Sequence, residues 1–272
     1  MVRYQVPISK VCKVLQFNRS SFYYQKQEKA STRRKIITKR LVELAGDRPR
    51  FGYERLNLLL KREGVPVARN TVHRYYKAEN LQLRQKNKKK RAKHIRHKPT
   101  VASAPHDLWT MDFMHDRLGD GRKYRILNVL DICSRKFLGS YIDQSIDGEK
   151  VSNFLDELGR KYKLPAMIQV DNGSEFTSKK FDEWAHLNGI QITYIDPGKP
   201  TQNGFIESLI ARMRDGCLRC SHFISVLDAR EQVEAWRNDY NKCRPHPSLN
   251  HLIRDEYIQC GAFVEIGENR LG

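Results

Sequence analysis

The amino-acid sequence predicts an α/β fold, in which a mixed sheet is flanked by helices and preceded by a basic helical region. Three observations carry this prediction. Apolar residues recur at helical spacing before residue 84, residues 84–98 form a basic run, and strand and helix patterns alternate after Pro105. Three successive strand patterns followed by alternating helices and strands are typical of a layered α/β domain with a mixed sheet.

The composition excludes several classes of protein. The 272 residues suffice for two domains, and a hydrophobic content of 39% allows a buried core. No apolar run approaches the roughly 20 residues that a membrane span requires, and the N-terminus has no signal-peptide pattern. The six cysteines are scattered, so we expect free thiols. Cys217 and Cys220 have metal-ligand spacing, but no second ligand pair accompanies them.

The positive charge is concentrated in the N-terminal part of the chain. Residues 1–100 contain 28 Lys and Arg against 6 Asp and Glu, whereas residues 101–272 contain 22 against 25. This layout is typical of a protein that binds a phosphate backbone through one region and performs its other function with a second region. A ribosomal or RNA-binding protein would look similar, so charge alone identifies only a polyanion as partner.

Residues 1–30 are predicted to form a helix-turn-helix segment. Apolar residues recur at helical spacing from Ile8 to Leu15, and Asn18 or Ser20 can cap a second helix. Any small helical hairpin gives the same pattern, so DNA contact by this unit is one of two alternatives.

Residues 31–83 predict a larger helical DNA-binding subdomain. Gly64 is expected to end one helix, and Asn70 to cap the next, in which Val72 and Tyr76 face inward. The outward side of this last helix is the better candidate for reading DNA, although a solvated basic face is the alternative. Its candidate DNA contacts are Arg69, Asn70, His73, Arg74 and Lys77.

Residues 84–104 are predicted to be a basic linker that lies on DNA. Nine of the fifteen residues from 84 to 98 are Lys or Arg, so no core can form there. We expect an affinity that falls steeply as salt rises, because each phosphate contact releases counterions. A nuclear-localisation signal has the same composition. The candidate DNA contacts are Lys88, Lys89, Lys90 and Arg91.

Residues 105–222 are predicted to form the α/β domain, and residues 223–272 a C-terminal helical extension. The polar pair Ser134 and Arg135 is expected to separate the second strand from the third. The predicted strands are 108–115, 124–133, 136–143, 166–171 and 190–194, and the predicted helices are 148–163, 178–188 and a long one beginning near Asn203.

Three acidic residues fall where this fold brings them to one edge of the sheet. Asp112 lies in the first strand, Asp171 ends the fourth, and Glu207 lies in the last helix, with 58 and 35 residues between them. Carboxylates this close repel one another unless a cation neutralises them, and Mg²⁺ or Mn²⁺ prefers such oxygen ligands. Two such ions about 4 Å apart can promote an in-line displacement at phosphorus.

Each acid taken alone fits a turn or a solvated surface, so the surrounding motifs decide. These are Leu108–Phe113, Asn128–Arg135, Val170–Phe176 and Pro197–Ser208. Together they closely resemble the second-frame (OrfB) transposases of the IS-three insertion-sequence family, which share the retroviral-integrase-like catalytic core. The resemblance continues to Arg244–His246 and reaches back to Phe51–Tyr53, so it covers nearly the whole chain.

The resemblance implies a ribonuclease-H-like fold and a catalytic Asp-Asp-Glu triad at Asp112, Asp171 and Glu207 that holds two Mg²⁺ or Mn²⁺ ions. Members of the family nick the end of the element, join it by strand transfer into a circular intermediate, and insert that into target DNA. The implied partners are double-stranded DNA, other copies of the chain and an upstream-frame (OrfA) protein. The implied location is the bacterial cytoplasm, at the nucleoid.

The resemblance also implies contacts with DNA around the last helix. Lys199, Gln202 and Asn203 would lie in the loop before that helix, near the DNA end. Arg212 and Arg214 would contact phosphates, although a solvated helix end is the alternative.

One stretch departs from the family pattern. Family members usually have Phe-Asn-Gly where this chain has Leu209, Ile210 and Ala211, and Gly216 replaces a usual glutamate. The absence of a polar residue beside the metal site predicts weaker DNA docking without a change in the carboxylates. Two other hypotheses therefore stand beside the transposase: a DNA-binding protein without catalysis, and a nuclease of the same fold that cleaves without joining.

Overall fold

The computed structural model describes residues 7–24, 32–83, 102–196 and 203–261. Its five strands are β1 (Leu108–Arg117), β2 (Lys123–Asp131), β3 (Phe137–Asp143), β4 (Met167–Val170) and β5 (Gln191–Tyr194). They form one sheet in the order β3-β2-β1-β4-β5. The pairs β1/β2 and β2/β3 are antiparallel, whereas β4 runs parallel to β1 and to β5. The predicted mixed sheet is confirmed.

The helices lie on both faces of the sheet and in a separate N-terminal unit. Within the described ranges they are α1 (Ile8–Val14), α2 (Arg19–Phe22), α3 (Thr32–Asp47), α4 (Tyr53–Arg62), α5 (Arg69–Ala78), α6 (Gly148–Lys161), α7 (Lys179–Leu187), α8 (Gly204–Gly216), α9 (Val226–Lys242) and α10 (Arg254–Cys260). No helix among these is both long and apolar enough to cross a bilayer.

Side-chain alternation along the strands builds one core on each face of the sheet. Successive residues of a strand point to opposite faces. Leu127 accordingly packs in a cluster with Phe154 of α6, whereas its neighbour Ile126 packs in a second cluster with Met213 of α8 and Val233 of α9. Because both faces are covered, β2 is buried without interruption from Ile126 to Asp131.

Residues beyond 222 complete the second of these cores. Phe223, Ala229 and Val233 are buried in the same cluster as residues of β2 and β3. The predicted boundary at residue 222 therefore falls inside a packed layer. Asn241 at the end of α9 fixes this layer to the edge strand: its side-chain oxygen accepts from the backbone N–H of Phe137 at 3.0 Å, and its Nδ2 donates to the Phe137 carbonyl at 2.8 Å.

Helices α3, α4 and α5 share a small core of their own, around Leu41, Leu56 and Val72. Gly64, at a φ of +76°, follows α4 as predicted. The prediction for the next helix was wrong in one respect. Asn70 lies inside α5, and its N-cap position is occupied by Ala68, which makes no side-chain capping bond.

Helices α1 and α2 form the predicted helix-turn-helix segment without a core. Of its apolar stripe only Cys12 is buried, whereas Leu15 is 69% exposed. Asn18 occupies the predicted N-cap position of α2 but makes no side-chain capping bond, and Ser20 lies inside that helix.

The turn between β2 and β3 contains Ser134 and Arg135, so the prediction that this pair separates the two strands is confirmed. Ser134 is fully buried and Arg135 is 5% exposed. Ser134 donates to Asp131 from both its backbone N–H and its hydroxyl. Arg135 adopts a φ of +56° and lies 3.3 Å above the ring of Phe205, and within the described part of the chain its Nη1 is buried without a hydrogen bond.

Two ion pairs link the N-terminal helical unit to the C-terminal helices. Arg48 after α3 pairs with Asp239 of α9 at 2.8 Å, and Arg62 of α4 pairs with Glu256 of α10 at 2.7 Å. The ring of Phe51, in the loop before α4, lies 5.2 Å from the guanidinium of Arg244. These contacts hold α4 beside the segment that follows α9.

Candidate active site

Strand register brings two of the three predicted acids side by side. In the parallel pairing of β1 with β4, Thr110 lies opposite Gln169. Continuing that register by two residues sets Asp112 beside Asp171, which directly follows β4. Adjacent strands are about 4.8 Å apart, and residues in register point to the same face.

Helix α8 brings the third acid to the same edge. Its apolar residues Ile206, Leu209 and Met213 are fully buried in the second core, which fixes the helix against β1 and β2. Glu207, in the first turn, is on the exposed side of the helix. The helix therefore presents a carboxylate next to the sheet edge while its opposite side anchors it.

The pKa of Asp112 is affected by both of the other acids. Burial raises the pKa of Asp112 to about 6, and the negative charges of Asp171 and Glu207 add to the rise, against a hydrogen bond from the Phe113 backbone. In the part of the chain that the structure describes, none of the three carboxylates forms an ion pair with Lys, Arg or His. Among the described residues, no basic side chain therefore compensates the negative charge of the site.

The three carboxylates fit a divalent metal in chemistry and access. They are hard oxygen donors, Asp112 is half-buried, and Asp171 and Glu207 are exposed. Within the described residues, however, no three acid, His or Cys side chains already stand in an arrangement that would hold an ion. The site is therefore an open set of acceptors rather than a closed cage.

Asn203 stands next to this site. It is 7% exposed, its Oδ1 accepts from the hydroxyl of Thr110 at 3.0 Å, and its Nδ2 lies 3.5 Å from Oδ2 of Asp112. Its side chain joins the start of α8 to β1 and lies beside Asp112, and the contact of Asn203 with DNA stays a prediction.

Comparisons with known proteins agree with this architecture. Residues 102–200 and 188–253 each match a family model described as "Integrase core domain", and residues 33–89 match one described as "HTH-like domain". The chain is 36% identical to the "Insertion element IS407 uncharacterized 31.7 kDa protein" of Burkholderia multivorans, over 94% of this chain and 92% of that protein. The chain belongs to the IS-three family of insertion-sequence transposases.

Other relatives extend the match. The chain is 36% identical to the "Insertion element IS476 uncharacterized 39.2 kDa protein" of Xanthomonas euvesicatoria, over 89% of this chain and 70% of that protein. It is 22% identical to the "Putative transposase InsK for insertion sequence element IS150" of Escherichia coli, over 92% and 93%. A chain of the simian T-cell lymphotropic virus intasome superposes with a TM-score of 0.54 at 15% identity, covering 85% of this chain and 79% of that one. This last likeness shows the fold.

Membership of the family gives the chain its function. It acts as a transposase in the transposition of an insertion sequence, with the integrase-type core of a polynucleotidyl transferase and DNA as its partner.

The family motif after β4 is a turn that holds Asp171 in place. The backbone N–H of Gly173 donates to Oδ1 of Asp171 at 3.0 Å, and Asn172 donates to the Ile195 carbonyl at 3.2 Å. A Cβ at residue 173 would stand only 3.0 Å from that same Oδ1. A side chain there would press on the acid, so the motif needs glycine.

A second group of motif residues supports the site from beneath. Glu175 forms an ion pair with Arg125 of β2, whose guanidinium lies 4.2 Å above the ring of Phe113. The Phe113 ring stacks on Phe176 at 5.1 Å between centroids. The sequence marks Glu175 and Phe176 only as members of a motif. No pattern links them to Arg125, because the contact joins residues 50 apart in the chain.

The predicted DNA contacts of α5 divide into engaged and free side chains. Arg69 pairs with Glu54 at 2.5 Å and donates to the hydroxyl of Tyr53 at 3.0 Å. The ring of His73 packs 4.4 Å from that of Tyr53. Asn70, Arg74 and Lys77 are exposed, as Arg69 also is, and the guanidinium of Arg74 lies 5.7 Å from the centre of the Tyr75 ring. Exposed side chains such as these can reach a phosphate.

Of the contacts predicted elsewhere, Arg214 is exposed on α8 and Arg212 is half-buried. The remaining predicted contacts lie outside the described residues: Lys88, Lys89, Lys90, Arg91, Lys199 and Gln202.

The departures from the family pattern are accommodated by packing. Leu209 is fully buried and Ile210 is 9% exposed, both in the core beneath α8, whereas Ala211 is exposed. At Gly216 a Cβ would stand 3.1 Å from the indole nitrogen of Trp236, so glutamate there would crowd α9. The predicted weakening of DNA docking stays a prediction, since these residues fill the core and leave the carboxylates in place.

Proposed function

We propose that Asp112, Asp171 and Glu207 are the catalytic residues of this transposase, and that they hold two Mg²⁺ or Mn²⁺ ions for DNA strand cleavage and strand transfer. The observation that carries the proposal is electrostatic: the pKa of Asp112 is raised to about 6 by burial and by the two other acids. A fold tolerates such uncompensated charge readily only where a ligand of opposite charge completes the site.

The bound ions would supply Lewis acidity toward the attacking hydroxyl and the leaving oxygen at phosphorus. The protein provides a fixed platform for them. Asp112 is held by strand β1 and by Asn203, and Asp171 by its turn with Gly173. Glu207 is carried on a helix whose buried side sets its height above the sheet. Because Asp171 and Glu207 are exposed, the attacking and departing DNA strands can approach from solvent.

The proposal is tested by strand transfer of a labelled element end with Mg²⁺ or Mn²⁺. Asp171→Asn keeps the size of the side chain and removes its charge. We expect it to reduce joined product at least about a hundredfold, since even indirect supports of metal sites cost 10- to 100-fold. Glu183→Gln, an exposed acid on α7, is the matched control and should join DNA as the parent does.

The same assay separates the alternative functions. Joined product from the parent but not from Asp171→Asn supports the transposase mechanism. Absence of both cleavage and joining by the parent would identify a DNA-binding protein without catalysis. Cleaved but unjoined DNA would identify a nuclease of the same fold.

The proposal extends to partners and to the division of labour along the chain. Residues 1–30 and 31–83 would recognise the element, and the linker 84–104 would follow its backbone to a catalytic domain at 105–222, with 223–272 as its extension. Double-stranded DNA would be bound by several copies together, alone or with an upstream-frame OrfA partner, at the nucleoid. Analytical ultracentrifugation with and without DNA measures the number of copies.

A further inference from the structure

Four arginines converge where α4, α8 and the segment after α9 meet. Arg55 comes from α4, Arg212 from α8, Arg244 directly follows α9, and Arg254 begins α10. We call these four residues the arginine cluster. Arg55 and Arg244 lie 5.6 and 5.2 Å from the ring centre of Phe51, so the two guanidiniums share one aromatic ring.

The cluster has no acidic partner. Among the described residues, none of its members forms an ion pair with Asp or Glu, although the neighbouring Arg48 pairs with Asp239 and Arg62 with Glu256. Arg254 is fully buried and donates to the carbonyls of Tyr240 and Arg244, yet its second terminal nitrogen has no partner. Within the described ranges, the hydrogen-bonding groups of these side chains are satisfied only in part, and no acidic side chain forms an ion pair with them.

Such an arrangement is costly in the isolated chain. An unpaired buried charge loses its hydration, and stacking on aromatic rings compensates only part of that loss. Burial, together with the positive charges of Arg55 and Arg212, accordingly lowers the pKa of Arg244 to about 9. Natural folds keep buried like charges mainly where a ligand of opposite charge neutralises them.

Of the four arginines, Arg55 lines a cleft of about 710 Å³ between the helical unit and the C-terminal segment, whereas Arg244 is 9% exposed and Arg254 is fully buried. Arg55 and Pro245 line the cleft beside the cluster, and Tyr53, His73 and Lys77 line it on the side of α5. Of its lining residues only Glu54 is acidic, and that side chain is paired with Arg69. An anion entering here meets cationic and aromatic groups.

We propose that the arginine cluster binds a phosphate of the DNA backbone, and so clamps DNA held by the helical unit against helix α8 of the catalytic domain. The planar guanidinium is suited to this, because it donates two parallel hydrogen bonds to a phosphate. The proposal rests on the proposed function only in taking DNA as the anion. It adds a contact that joins the two parts of the molecule, on a face of α8 different from that of Glu207.

Arg55→Gln and Arg212→Gln test this directly, because both side chains are half-buried and neither makes a described hydrogen bond. Arg254 is unsuitable, since it also donates to three backbone carbonyls. Binding of a fluorescein-labelled duplex of arbitrary sequence is measured by anisotropy in EDTA over a range of salt concentrations. Arg122→Gln is the control, because Arg122 is exposed and already paired with Asp120.

We expect each variant to bind the duplex about five- to tenfold more weakly, and the slope of log affinity against log salt to fall by about one. The melting temperature of the DNA-free variants should be unchanged or higher, because a repelling charge has been removed. Inorganic phosphate should raise the melting temperature of the parent more than that of either variant.

Unchanged affinity and salt slope would overturn the proposal. A lower melting temperature together with weaker binding would also overturn it, because the cluster would then serve folding. The readout is independent of catalysis, because EDTA removes divalent metal and binding alone is measured. If the catalytic proposal failed, the result for the arginine cluster would still hold. If the arginine cluster did not bind DNA, the catalytic proposal would be unaffected.

Discussion

The ionised side chain of Asp112 destabilises the fold when no cation is bound beside it. Its pKa is raised from an ordinary 3.8 to about 6, first by burial and then by Asp171. The folded state therefore binds a proton that the unfolded state has released, and stability falls as pH rises between about 4 and 6. Above pH 6 the full penalty is present unless a cation offsets it.

Replacing Asp112 by Asn should remove this penalty. In EDTA at pH 8 we expect Asp112→Asn to melt about 2–4 °C higher than the parent, the shift that about 1 kcal/mol produces in a chain of this size. At pH 4 the difference should nearly vanish, because the parent carboxyl is then largely protonated. Thermal unfolding followed by circular dichroism measures both.

Asp182→Asn, which changes an exposed acid on α7, should leave the melting temperature where it was. Adding Mg²⁺ should stabilise the parent and not Asp112→Asn. Equal melting of the parent and Asp112→Asn at pH 8 would mean that the acids at this edge do not strain the fold.

Residue type alone could not separate the proposed catalytic acids from the structural ones. Asp131 lies in a family motif as Asp112 does, and is fully buried. It accepts hydrogen bonds from the backbone N–H groups of His106 at 3.0 Å and Ser134 at 2.8 Å, so it caps a turn. Asp112 has few such donors. The difference lies in tertiary partners, and those are absent from the spacing of residues.

Asn241 ties the end of α9 to β3, because its side chain bonds to both backbone groups of Phe137. The Phe137 carbonyl also lies 3.4 Å from Nη1 of Arg237. Asn241→Leu should lower the free energy of unfolding by about 1–3 kcal/mol, because the buried N–H loses its acceptor and the carbonyl keeps only the longer contact with Arg237. Urea unfolding of the full chain measures this.

Asn238→Leu on the same helix is the matched control. Asn238 lies only 3.4 Å from Glu234 in an exposed contact, so its replacement should change stability by less than about 0.5 kcal/mol. Equal destabilisation of the two variants would show that leucine disturbs α9 itself, and that the bond to β3 contributes little.

At the scale of elements, the sequence predicted those strands and helices whose apolar residues recur at regular spacing. The strands near Trp109, Leu127 and Ile168 and the helices around Phe154 and Trp184 follow from apolar spacing, and their bounds agree within a few residues. Capping by Asn70 failed because Ala68 already begins the helix in extended backbone. The sequence also could not predict whether another element packs on the apolar face of α1. Periodicity predicts which face is apolar, but it does not predict what packs against that face.

Over the whole molecule, the positive charge is concentrated in the N-terminal part, and the C-terminal part is nearly neutral. The N-terminal hundred residues hold 28 basic and 6 acidic side chains, against 22 and 25 in the rest. The ion pairs of Arg48 with Asp239 and Arg62 with Glu256 keep the helical unit next to the catalytic domain. Such partly exposed pairs are each worth at most about 1 kcal/mol, so DNA bound across both parts can strengthen their docking.

This division predicts where the salt dependence of DNA binding originates. Replacing Lys88, Lys89, Lys90 and Arg91 together by Gln should lower the slope of log affinity against log salt by up to about 3.6, because each phosphate that is no longer neutralised lowers it by about 0.9. Replacing Arg122, Lys123, Lys179 and Lys180 by Gln removes the same charge from the near-neutral part and should barely change the slope. Equal changes would mean that DNA senses only net charge, whereas the predicted difference would show that the backbone follows the basic segment on its way to the catalytic domain.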